Sequence, residues 1–93
     1  MTVYVDSANI RYRRMAMCHM MADRLSELHG MADRIGISCR HFQGDHYDIC
    51  KAKKSLALIY GAKEVTSRFL VNLRKQQRAS EITSRYQQDE VRA

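Results

Sequence analysis

The chain predicts a minimal α/β domain, a three-stranded parallel sheet with the pattern β-α-β-α-β-α, order 2-1-3, and helices on both faces. Three observations predict it. Short strand-like runs recur at residues 2–5, 37–42 and 62–65. Amphipathic stripes at helical spacing fill the intervals, and Gly36 and Gly61 stand where the first two stripes stop. Strands separated by helices pair in parallel through right-handed crossovers, and the simplest such sheet has its first strand in the middle.

The elements follow in order. Thr2-Val3-Tyr4-Val5 is β-branched and aromatic, ends at Asp6, and reads as a short buried strand. Residues 6–22 have no clean period and read as a long connection, basic at Arg11, Arg13 and Arg14 and apolar at Met15, Met17, Met20 and Met21. Asp23 suits the N-cap of a first helix. Its core stripe is Leu25, Leu28, Ala32 and Ile35.

Residues 37–42 alternate weakly as a second strand, and Gln43-Gly44-Asp45 makes a loop. Asp48 is placed to cap a second helix, with Ile49, Ala52, Leu56 and Ile59 on its buried side. After a third strand, Thr66 or Ser67 caps a last helix anchored by Phe69, Leu70 and Leu73. Beyond Arg74 the apolar stripe fails. Residues 1–75 therefore form the α/β domain and residues 76–93 a polar helical tail, which either frays or pairs with another copy through Ile82 and Tyr86.

The 93 residues carry a net charge of +6. That balance favours nucleic acid or another phosphorylated partner, although the charge is spread along the chain rather than gathered in one arm. No apolar run approaches the ~20 residues of a membrane span. The amino terminus lacks the order of a signal peptide. Cys18, Cys39 and Cys50 form no Cys-x-x-Cys pair. A cytoplasmic protein without membrane contact is expected. Glycine-rich nucleotide loops and a Gly-x-Ser-x-Gly elbow are absent, which disfavours dinucleotide binding, P-loop NTPase and α/β-hydrolase chemistry.

The chemistry concentrates in Asp45-His46-Tyr47-Asp48, which sets two carboxylates, an imidazole and a phenol in four residues. Asp6, His46 and Asp48 are the expected ligands of a divalent metal, Mg²⁺ or Mn²⁺ before Zn²⁺, because a hard cation takes carboxylate oxygen from a rigid element. The same three residues and His19 are the expected acid/base groups. Arg68, Tyr47, Arg11, Arg13 and Arg14 are the expected ligand and phosphate contacts, arginine by its planar fork. His29 reads as a packed histidine with one hydrogen bond.

Tyr4-Val5-Asp6-Ser7-Ala8-Asn9-Ile10 resembles the opening strand of small metal-dependent ribonucleases of the PIN and NYN type. The larger pattern is Val5-Asp6, Cys18-His19-Met20-Met21-Ala22-Asp23, Glu27-Leu28-His29, Ile35-Gly36, Asp45-His46-Tyr47-Asp48-Ile49, Gly61-Ala62, Glu64-Val65 and Arg68. It resembles a small bacterial and phage family catalogued only as a domain of unknown function. That resemblance implies that Asp6, His19, Asp23, His29, His46, Tyr47, Asp48 and Arg68 are motif positions, and it implies no reaction.

Two functions follow as expectations. One is a metal-dependent nuclease or phosphohydrolase. The other is a phage-type interaction protein without catalysis, which inhibits a host nucleic-acid-processing or defence protein.

Overall fold

The computed structural model describes residues 2–92, with side chains from Thr2 to Ala79. The elements are β1 (Val3–Asp6), β2 (Ile10–Tyr12), β3 (Met15–Ala22), α1 (Leu25–Arg34), a 3-10 turn (Cys39–His41), β4 (Tyr47–Cys50), α2 (Lys51–Ile59), β5 (Lys63–Val65) and α3 (Ser67–Arg92). The expected packing of the tail on another copy through Ile82 and Tyr86 lies outside the described side chains.

The α/β class holds, but the sheet is five-stranded and mixed rather than three-stranded and parallel. β1 and β5 pair in parallel, as expected of the first and last strands. β3 is the difference. It runs antiparallel to β1, β2 and β4, and stands between β1 and β4. The presumed long connection is in fact a hairpin. Its two-residue turn holds Arg13 at φ +56°, and its second strand supplies the centre of the sheet.

Met15–Ala22 contains no β-branched residue and so carries little strand signal of its own. Neighbours on both sides impose the extended backbone. The segment at residues 37–42 joins no strand of the sheet, and Cys39–His41 closes a 3-10 turn instead. The strand falls one motif later, at Tyr47–Cys50, so Asp48 is a strand residue and caps no helix.

Period-two alternation divides the sheet. Val3, Val5, Cys18, Met20, Ala22, Tyr47 and Ile49 point to one face and are buried against Leu28, Met31, Ala32 and Ile35 of α1 and its end and Ala57 of α2. α3 lies on the other face, where Phe69 packs on Tyr4 with ring centres 5.0 Å apart. Helices thus cover both faces, though α3 covers only part of its own.

Gly36 ends α1 at φ +81°, while Ile37 N–H donates back to Ala32 O at 2.8 Å. Gly61 does the same for α2 at φ +103°, with Ala62 N–H on Ala57 O at 2.9 Å. Asp23 does not cap α1. The cap position is Arg24, without a side-chain bond, and Asp23 accepts from the Tyr4 hydroxyl at 3.1 Å. The α2 stripe also shifts, since the helix starts at Lys51: Ala57 is buried and Ile59 is exposed. Thr66 caps α3 by accepting from Phe69 N–H at 3.2 Å.

Candidate metal centre

A bulge builds the site. Val5 pairs with Met20 and Ile10 with Met17, so residues 6–9 face only Cys18 and His19. In that gap the backbone N–H of His19 donates to Asp6 Oδ1 at 2.9 Å rather than to a strand carbonyl. Ala8 N–H reaches the same oxygen at 3.2 Å. Asp6 Oδ2 accepts from His19 Nδ1 at 2.7 Å and from Ser67 Oγ at 3.2 Å.

Asp6 is 1% exposed, and these four donors use its lone pairs. Burial by itself would raise its pKa. The donors from His19 and Ala8 outweigh that and hold the carboxyl below the usual carboxylate range. A saturated carboxylate is a poor direct metal ligand. Asp6 therefore stands behind His19, ties β1, β3 and α3 together, and fixes the ring.

A second dyad lies opposite. His46 Nδ1–H donates to Asp45 Oδ1, and Arg74 of α3 binds the other Asp45 oxygen through Nε. Burial works against ionisation of Asp45 too, but the His46 bond and the Arg74 guanidinium together depress its pKa. Because a carboxylate only accepts, each Nδ1 carries a proton, and in the neutral ring each Nε2 then presents a lone pair.

Both Nε2 atoms converge on Asp48. His19 and Asp48 are register partners on β3 and β4, so they share a face. Asp48 Oδ1 lies 3.7 Å from His19 Nε2 and 3.4 Å from His46 Nε2. Such separations exceed the ~2.7–3.2 Å of a hydrogen bond. They lie close to the ~3.3 Å between neighbouring ligand atoms on a tetrahedral ion with ~2.0–2.1 Å bonds. One ligand atom from each of His19, His46 and Asp48 falls within 4.8 Å of the others. Each imidazole is backed by a carboxylate, the usual outer support of metal-bound histidine.

Other expected residues go elsewhere. Tyr47 is fully buried on the opposite face of β4 from Asp48, because neighbours in a strand alternate. Its hydroxyl meets His29 Nδ1 at 2.7 Å, and Phe42 packs on both rings. Tyr47 is thus a core residue rather than a ligand contact, and His29 has the one hydrogen bond expected of it. Arg68 is exposed on the first turn of α3, where its neighbour Ser67 makes the contact to Asp6. Arg11, Arg13 and Arg14 are exposed on the hairpin. The supporting roles of Asp45, Ser67 and Arg74 were not legible in the sequence, although the direct Asp45-His46 adjacency hints at the first.

Fold and site together define a class: a small mixed α/β domain with two carboxylate-backed histidines and a third carboxylate on one sheet face. The chain belongs to the family described as "Protein of unknown function (DUF4031)", which matches residues 3–77. No curated protein and no solved structure matches it. Among the described residues no helix is long and apolar enough to cross a membrane.

Proposed function

We propose that the chain is a divalent-metal-dependent phosphohydrolase or nuclease whose ion is held by His19 Nε2, His46 Nε2 and Asp48. The observation that supports this reading is the convergence of three ligand atoms within 4.8 Å of one another, with a carboxylate behind each imidazole. Two imidazoles in the set move the preference from Mg²⁺ toward Zn²⁺, Mn²⁺ or another first-row ion, since Mg²⁺ favours oxygen alone.

Three protein ligands leave positions open for water and substrate. An ion there would supply a nucleophile from water at neutral pH and polarise a phosphoryl oxygen. The chain's own residues do the positioning. Asp6 and Asp45 hold the two rings in the tautomer that offers Nε2, and the exposed arginines of the β2–β3 hairpin attract phosphate.

The test is hydrolysis of bis-p-nitrophenyl phosphate and of oligonucleotides by protein stripped with EDTA and reloaded with Mg²⁺, Mn²⁺, Co²⁺ or Zn²⁺. Turnover restored by one of these ions and lost in His19→Ala and His46→Ala supports the reading. Turnover that persists in EDTA would assign the two imidazoles direct acid and base roles. Absence of both turnover and metal binding would return the chain to the interaction-protein alternative.

A further inference from the structure

The hairpin beside the centre has a surface that the metal site does not use. Ile10 pairs with Met17 and Tyr12 with Met15, so these four side chains lie on the same face of β3 as His19. Ile10 is 51% exposed, Tyr12 55% and Met15 43%, side by side on the hairpin. A cavity of about 620 Å³ is lined by these four residues together with Arg11, His19 and Asp48, and also by Cys18, Ile49 and Lys53 from the other side of the sheet.

The apolar strip is flanked by charge. Arg11, Arg13 and Arg14 are all exposed at the hairpin tip, and the Arg13 guanidinium lies 5.5 Å from the centre of the Tyr12 ring. A guanidinium covers one ring face at most, and Tyr12 as a whole is 55% exposed.

We infer that this strip is a binding platform for single-stranded nucleic acid, with a base stacked on Tyr12 and the backbone held by Arg11, Arg13 and Arg14. The inference deepens the phosphohydrolase reading by naming its substrate class, and it rests on that reading for what happens after binding. An apolar, aromatic strip bordered by arginines matches a ligand whose own apolar faces alternate with phosphate. Single strands present base faces in this way, whereas a duplex hides them in the stack. Four residue steps along β3 lead from Met15, the partner of Tyr12, to His19, a distance of roughly 13 Å at the usual rise. A strand stacked on Tyr12 and running along β3 would bring a phosphodiester to His19 and Asp48.

Fluorescence anisotropy in EDTA tests binding apart from metal chemistry. The probes are a fluorescein-labelled oligothymidylate and a duplex of equal length. The single strand is expected to bind at least tenfold more tightly than the duplex. Tyr12→Ala should weaken it roughly tenfold while Tyr12→Phe keeps it, as stacking requires. Arg11→Ala and Arg14→Ala should each reduce the logarithmic salt slope by about 0.7. Far-UV circular dichroism checks that each variant is folded. No anisotropy change, a duplex bound as well as the single strand, or unaltered binding by folded Tyr12→Ala would overturn the inference. The two readings fail separately: a chain that takes the metal but not the oligonucleotide loses only this one, and the reverse result loses only the metal centre.

Discussion

His19 and Asp48 are direct register partners across β3 and β4, and the side chains of this pair face the imidazole of His46. A pair locked by strand register cannot drift apart without breaking the sheet, so a ligand at this point meets a preformed site. That rigidity makes the following outcomes measurable.

Metal binding should show as stabilisation. An ion that binds only the native state, at a hundredfold excess over its Kd, adds about 2.7 kcal/mol. Thermal melts should therefore shift upward with Zn²⁺ or Mn²⁺ more than with Mg²⁺. His19→Ala, His46→Ala and Asp48→Ala should each lose the shift. Asp48→Ala should melt near the wild-type apo temperature, since its side chain is partly exposed, whereas His19→Ala should melt lower because it takes a donor from the buried Asp6.

The carboxylates behind the rings should act through them. Asp45→Asn should lower metal affinity by roughly 10–100-fold, measured by competition with a chromophoric chelator, with a modest effect on folding. Asp6→Ala should do more. It removes the acceptor of four hydrogen bonds in a buried setting and should cost on the order of 3–5 kcal/mol in urea denaturation.

Acid should weaken the fold through the same groups. Asp6 and Asp45 hold their protons less tightly when folded than when unfolded. The unfolded chain therefore takes up protons first as pH falls, near the ordinary aspartate value of about 3.9. Their contribution is fully present above that pH and is lost as pH drops through the depressed folded values. Urea midpoints measured from pH 7 to pH 2.5 should fall in this window, and Asp6→Asn should flatten the fall.

Tyr47→Phe separates packing from chemistry. It leaves His29 Nδ1 without its buried partner, at a cost of about 1–3 kcal/mol in stability. Metal affinity should not change, because Tyr47 lies on the face away from Asp48. A large loss of metal binding at unchanged stability would return Tyr47 to the site.

The thiols should differ in reactivity. Burial, with the Asp6 charge adding to it, pushes the Cys18 pKa to about 11, whereas Cys39 is exposed. Ellman's reagent at pH 8 should label Cys39 quickly and Cys18 only as the protein unfolds. Stability should also decline as pH rises from the unfolded thiol value of about 8.5 toward 11, because the unfolded chain releases that proton first. Cys18→Ala should remove this component of the alkaline decline.

The residues of the centre were legible where their chemistry was local. His46 and Asp48 stood out as an imidazole and a carboxylate two apart, and Asp6 as an acid ending an apolar strand. His19 was less visible because the Met-rich segment around it has neither strand propensity nor helical period. Arg74 could not be read as a partner of the site, since only the path of α3 brings it to Asp45. Tyr47 was misplaced for a single reason: a helix start at Asp48 would have turned it toward the site, while a strand there turns it into the core.

The sequence by itself determined what local forces decide. Gly36 and Gly61 stop two helices, the stripe of Leu28, Ala32 and Ile35 fixes the inward side of α1, and Thr66 starts α3. Tertiary structure alone decided that Met15–Ala22 enters the sheet between β1 and β4 and that the bulge at residues 6–9 seats Asp6 behind His19. The physical reason is the range of the interactions. Caps and helical stripes are satisfied within one or two turns of chain, whereas a strand takes its hydrogen bonds from segments that no local pattern names. The candidate metal centre is the product of that pairing, because His19 and Asp48 meet beside His46 only once β3 and β4 are in register.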